Sequence, residues 1–289
     1  MARDQRGKLK AGEFAKYHGL GNDYVVIDAE TFGIHLTRAR IRRLCNRNTG
    51  LGSDGILALT PSRRADFGLR IFNPDGSEAE KSGNGLRILS RFLYDLGYTR
   101  RKSFSIATKG GRVIAELTLR GKEVSRVKVD MGRATFWSDE IPVLGPRREV
   151  IDEQLVVGSQ TLRMSCVSVG NPHCVIFVPE LSSRELQEFG PLLEHHPSFP
   201  RRSNVQFARV ASPKLIDVLI WERGAGETAA SGSSACAVAA AAHRRELTGR
   251  RVQVRMPGGK LSIEIRADFA LRMTGPSTPV YRGRLLAPP

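Results

Sequence analysis

Two short stretches of the chain place the same residue types in the same order. In EAEKSGNGLRILSRFLYDLG, Ser82-Gly83 runs into Asn84-Gly85 and then into Leu86, Ile88, Leu89, Phe92, Leu93 and Leu96 at helical spacing. In GAGETAASGSSACAVAAAAHRRE, Ser231-Gly232-Ser233-Ser234 opens onto an alanine-rich run. Serine before such a run predicts a helix start with the hydroxyl as its cap. A helix start leaves backbone N–H groups without partners and carries about half a positive charge. The glycines let the backbone approach a ligand closely. A mouth of this kind suits a carboxylate, and two facing mouths would grip a small anionic molecule from both sides. Taken alone, the serines read first as plain caps, since serine is a preferred capping residue.

The flanking residues add polar chemistry. Glu222, Arg223 and the flexible Gly224-Ala225-Gly226 precede Ser231, and Arg223 is suited to bidentate capture of a carboxylate. Gly170-Asn171-Pro172-His173 reads as a tight turn between strands, and Asn22, Asn73, Asn84 and Asn204 also lie in or beside turns. One asparagine in a turn is structural. Five of them, with an arginine, a glutamate and a histidine, suggest a hydrogen-bonding cleft.

The elements that would position these groups fall into two similar sets. FAKYHGLGNDYVVIDA reads as strand, glycine turn, strand, and LTRARIRRLCN as a short helix after Thr37. The strand GILALT, a strand pair turning at Pro74-Asp75-Gly76, the helix from Ser82 and three further strands follow. After DEIPVLGPRREV the order recurs, with LRMSCVSVGNPHCVIFV, the helix SRELQEFGPLLEHH, strands, a glycine loop, the helix from Ser231 and a strand meander. This is an α+β pattern, not alternating βαβ units. It predicts two similar lobes, with residues 1–128 plus 277–289 in one and 129–276 in the other. The opening MARDQRGKLKAGEF is basic with no apolar stretch after it, so it reads as a disordered leader and not as a signal peptide.

Composition excludes several classes. Of 289 residues, 40% are hydrophobic and 26% charged, as in a soluble globular protein, and the longest apolar run, 235–242, is far short of a membrane span. The four cysteines, Cys45, Cys166, Cys174 and Cys236, have no metal-ligand spacing and suggest a reducing cytoplasm, with no metal site. The net charge of +16 comes from scattered pairs such as Arg42-Arg43, Arg147-Arg148 and Arg250-Arg251, with only 7% aromatics. Scattering of this kind reads as a basic solvated surface and not as a nucleic-acid patch.

Read together, HGLGNDYVVIDA, GSDGILAL, FNPDGSEAEKSGNGLR, GNPHCVIF, SNVQF, WERGAGETAASGSSACAVAA, MPGGKLSIE and MTGP resemble the diaminopimelate epimerase family, in order from Phe14 to about Gly283. The resemblance implies two lobes of mixed sheet, each wrapped around a central helix, with the substrate cleft between them. It implies interconversion of LL- and meso-diaminopimelate in lysine and cell-wall biosynthesis, without cofactor or metal. In the family, two cysteines at facing helix mouths act as base and acid on opposite faces of the α-carbon. By position, Asn22, Asn73, Asn84, Asn171, Asn204, Glu222 and Arg223 hold substrate, and Gly83-Asn84 and Gly232-Ser233 receive the α-carboxylate. Glu222 and His173 assist the catalytic pair, and Tyr281 marks a homodimer contact.

The chain departs from the family at the catalytic pair, where Ser82 and Ser231 stand at the cysteine positions. A thiol titrates near 8.5, and an alcohol on the order of five units higher, which adds roughly 7 kcal/mol to the cost of the anion. A helix terminus returns at most about 2 kcal/mol, leaving His173 or Glu222 to relay the proton. Lys81, Ser234 and Gly55 depart further. Four readings stand: an epimerase whose two cysteines were deliberately replaced by serine, the same reaction run on hydroxyls, a serine-bearing relative that isomerises or dehydrates another amino acid, and an amino-acid binder without turnover.

Overall fold

The first hairpin is set by its turn. β1 (Glu13–Gly19) and β2 (Asn22–Asp28) pair antiparallel from Ala15↔Val26 to Gly19↔Asn22, around Leu20 at φ 60° and Gly21 at φ 93°. Two positive φ values in succession match the twist of a two-residue hairpin, so the turn delivers Asn22 as the first residue of β2. The computed structural model describes residues 7–286. The chain forms two compact units, one running to Val129 and resuming at Thr274, the other Asp130–Met273.

In the first unit, α1 (Arg38–Cys45), capped by Thr37, leads to β3 (Ile56–Thr60), which runs parallel to β2. β4 (Phe67–Phe72) pairs antiparallel with β3 and with the short β5 (Glu78–Ala79). Then comes α2 (Gly83–Asp95). β6 (Ser103–Thr108) lies parallel to β4, and β7 (Gly111–Arg120) and β8 (Glu123–Arg133) continue antiparallel.

The second unit repeats this wiring. β9 (Glu153–Val157), β10 (Gln160–Ser168) and β11 (Pro172–Phe177) are antiparallel neighbours, and α3 (Ser183–Glu194) leads to β12 (Asn204–Ser212), parallel to β11. β13 (Leu215–Glu222) pairs antiparallel with β12 and with β14 (Gly226–Thr228). After α4 (Gly232–Arg244), β15 (Arg251–Met256) lies parallel to β13, β16 (Gly259–Ile265) pairs with it, and β17 (Ala270–Gly275) follows. The last strand, β18 (Thr278–Arg284), pairs with β1 in the first unit. This is a mixed-sheet α+β architecture with four helices among the described residues.

In each unit the strands wrap the long helix. Outer strands such as β7 and β15 bury alternate residues (Val113, Ala115 and Leu117; Val252, Val254 and Met256), the period of a strand with one wet face. α2 packs on β1, β2, β3 and β7, burying Leu86, Ile88, Leu89, Phe92 and Leu93. α4 packs on β10–β13, β15 and β16, and every residue from 234 to 242 is fully buried. A helix enclosed on all sides lacks the polar stripe of a surface helix, and alanine lets the strands close in around it. The expected leader is corrected in part: Leu9 is buried and its N–H donates to the Tyr98 hydroxyl at 3.0 Å, so the chain is packed from there on. The first six residues of that leader lie outside the described residues.

Because α4 has no slack, Ala240→Leu should cost about 1–3 kcal/mol or more of unfolding free energy by overpacking, read as a lower urea midpoint at unchanged m-value. An unchanged midpoint would show that the strands around α4 yield.

Candidate active site: two capped helix mouths

Both mouths form as the sequence predicts. Ser82 caps α2 from extended backbone (φ −139°, ψ 120°), its Oγ accepting from Gly85 N at 3.0 Å. Ser231 caps α4 from the same conformation (φ −138°, ψ 127°), its Oγ accepting from Ser234 N at 3.4 Å. In each, the next two residues have N–H groups with no acceptor inside the helix, as at any helix start. These are Gly83 and Asn84 in the first unit and Gly232 and Ser233 in the second. Gly85 lacks a side chain for a packing reason, since a Cβ there would sit 2.9 Å from Leu57 Cδ2.

At the α2 mouth, Asn84 donates to Asn22 Oδ1 at 2.9 Å, and Asn22 donates to Asp54 Oδ2 at 2.9 Å. The Tyr24 hydroxyl stands 3.5 Å from Ser82 Oγ. Asp54 also accepts from Asp23 N and from Arg47, which bridges Asp23 and Asp54. Two of the five asparagines thus meet beside Ser82. Asn73 does not join them through its amide, which donates to Ser77 Oγ at 2.9 Å across the Pro74-Asp75-Gly76 turn.

At the α4 mouth the chain of contacts is Asn171, His173, Gln206, Ser234 and Ser231. His173 Nε2 lies 3.0 Å from Asn171 Oδ1, and its Nδ1 lies 3.1 Å from Gln206 Nε2, which also donates to Ser234 Oγ at 3.1 Å. Register explains the meeting: His173 on β11 is directly beside Asn204 on the parallel β12, and Gln206 follows at the strand period. Asn204 donates to Pro172 O at 2.7 Å and accepts from Arg223 N at 3.1 Å, so it ties the turn before His173 to the loop carrying Arg223. Arg223 is exposed, with Nη1 donating to Arg201 O at 2.9 Å, and Glu222 ends β13 half-buried.

One role read from sequence changes. His173 is fully buried, and desolvation, with Arg223 as a lesser cause, brings its pKa down to about 3. With both ring nitrogens engaged, it is a neutral imidazole that orients Asn171, unsuited to relaying a proton near pH 7. Sequence reading also missed Tyr24, Asp54, Gln206 and Glu194, and it marked Ser234 only as a departure from the family. Glu194, buried in α3, accepts from Trp221 Nε1 at 2.8 Å and Gly224 N at 2.9 Å and so fixes the Glu222-Arg223 loop. Only Gln206 carried a sequence signal, its period-two spacing from Asn204 in SNVQF.

Residues 14–137 and 165–280 match the family model described as diaminopimelate epimerase. The chain belongs to the diaminopimelate epimerase family. Diaminopimelate epimerase 2 of Nostoc sp. is 49% identical over 275 residues, spanning 94% of this chain and 95% of the relative. Diaminopimelate epimerase of Moorella thermoacetica is 42% identical, over 93% of this chain and 98% of the relative. In fold, a probable proline racemase from Agrobacterium radiobacter K84 superposes with a TM-score of 0.72 at 17% identity, over 96% of this chain and 93% of that one. Within the diaminopimelate epimerase family, the serines at both mouths are the feature that needs a chemical account.

The neutral His173 has a consequence for stability. Its folded pKa lies below the ordinary 6.5, so protons bind the unfolded chain preferentially. Its contribution is fully present above pH 6.5 and is lost as pH falls toward about 3. Between pH 6.5 and 4.5, wild type should lose roughly 2 kcal/mol more than a His173→Gln variant, the difference that two pH units of linkage supply. Parallel urea-unfolding curves for the two proteins would show that His173 titrates normally.

Proposed function

We propose that the chain interconverts LL- and meso-diaminopimelate without a cofactor, with Ser82 and Ser231 in the two proton-transfer positions. Inversion needs one group to take the α-proton from one face of the carbon and another to return a proton to the opposite face. The observation that carries this reading is the duplication of the mouth itself. Each unit presents a serine cap in the same backbone conformation, at the start of a helix enclosed by the same strand order. Family membership over nearly the whole chain supplies the substrate class.

In this reading Gly83-Asn84 and Gly232-Ser233 offer N–H groups to the α-carboxylate, and Asn22, Asn73, Asn171, Asn204 and Arg223 hold the remaining polar groups. With His173 neutral, Glu222 is the residue left to accept a proton from a serine. Each hydroxyl already accepts a backbone N–H bond, which stabilises an alkoxide more than an alcohol. We place Tyr281, exposed on β18 with its edge against Phe14, at a homodimer contact and the protein in the cytoplasm, without a nucleic-acid partner. Among the described residues, no helix is long and apolar enough to cross a membrane.

In heavy water, wild type should wash deuterium onto the α-carbon of LL- or meso-diaminopimelate, read by mass spectrometry, and Ser82→Ala or Ser231→Ala should stop it. The double variant Ser82→Cys/Ser231→Cys should raise the rate by about 10³-fold or more, as the lower cost of a thiolate requires. Wild type and the cysteine variant both failing to exchange would overturn the reading. Exchange on another amino acid only would move it to a serine-bearing relative of different substrate.

A further inference from the structure

The two mouths differ at one repeated position. Arg87 and Cys236 each stand five residues after the capping serine, and each is 0% exposed. The repeat therefore sets a guanidinium behind one mouth and a thiol behind the other. Helix side chains lean toward the N-terminus, and Arg87 follows that rule back to the first turn of α2. Its Nη2 donates to Asn84 Oδ1 at 2.8 Å, its Nη1 to Gly83 O at 3.4 Å and its Nε to Pro276 O at 3.2 Å. Gly19 leaves the room, since a Cβ there would lie 3.0 Å from Nη2.

This arrangement orders the mouth. With Asn84 Oδ1 held by the guanidinium, Asn84 Nδ2 turns to Asn22 and Asn22 turns to Asp54. One side chain thereby fixes the amide orientation of two substrate-holding asparagines. It also sets a full positive charge behind a helix end that carries about half of one. Burying an ion is costly even when it is well hydrogen-bonded, and the other unit sets the uncharged thiol of Cys236 at the repeated position.

We propose that Arg87 is a positioning residue that makes the α2 mouth, and not the α4 mouth, the stronger holder of negative charge. That charge is an alkoxide on Ser82 or a carboxylate resting on the N–H groups of Gly83 and Asn84. The two serines are then unequal, Ser82 being the more readily ionised. The proposal rests on the reading of Ser82 as a proton-transfer group. Other titratable groups around this mouth are Tyr24, Lys81 in the preceding chain, and Asp54 with Arg47 behind Asn22.

Reporter thiols introduced singly by Ser82→Cys and Ser231→Cys test it without turnover. Their alkylation by iodoacetamide is followed across pH with Arg87 intact and as Arg87→Lys, Arg87→Gln and Arg87→Met. The thiol at 82 should titrate below the thiol at 231, because cations and helix N-termini favour a thiolate. Arg87→Met should slow alkylation at 82 by tenfold or more at pH 7, equivalent to one pKa unit, while Arg87→Lys restores it to within threefold and the thiol at 231 does not change. If the Met variant does not fold, Arg87→Gln, which keeps donors without charge, gives the same reading. No change at 82, or an equal change at both thiols, overturns the proposal. Should the thiol shift appear while wild type exchanges no α-deuterium, the reaction assigned to the site fails and the role of Arg87 stands.

Discussion

A helix that a curved sheet encloses along its length can meet a ligand only at its ends, and its N-terminal end carries unpaired N–H donors wherever it emerges. α2 and α4 are enclosed in this way over their first turns, where residues 83–90 and 234–242 are buried around the whole circumference. Serine satisfies one donor at each start, glycine follows without a side chain, and two N–H groups remain for an anion. The rest of each unit serves this arrangement. The hairpin turns deliver Asn22 and Asn171 beside a mouth, and the parallel pairs β2–β3 and β11–β12 set the strands on which their neighbours stand.

The same wiring supports two different polar linings. The α2 mouth is backed by charge, through Arg87 and the Asp54–Arg47 pair behind two asparagines. The α4 mouth is backed by neutral groups, with a desolvated imidazole, a glutamine and a second serine in sequence. Topological repetition therefore fixes where each mouth lies and leaves open what stands behind it. In a chain with alcohols where its family has thiols, the difference bears on which hydroxyl ionises.

Local chemistry in the sequence determined much of this protein. Serine caps, the Leu-Gly turn before Asn22, period-two strands and an alanine-rich helix are each decided within a few residues, so their positions and the repeated order of elements were legible. Some of the polar residues beside the mouths were legible too, Asn22, Asn84 and Asn171 among them, because turns and helix starts hold them there. Tertiary structure alone decided their states. His173 looks like a proton carrier in GNPHC, yet the register of β11 against β12 buries it against Gln206 and keeps it neutral. Arg87 looks like the wet side of an amphipathic helix, yet the strands around α2 leave that helix no wet side at its first turns. Leu9 looks like part of a tail, yet Tyr98 holds it. Charge, exposure and hydrogen-bond partners depend on neighbours distant in the chain, and only the packed structure brings those neighbours together.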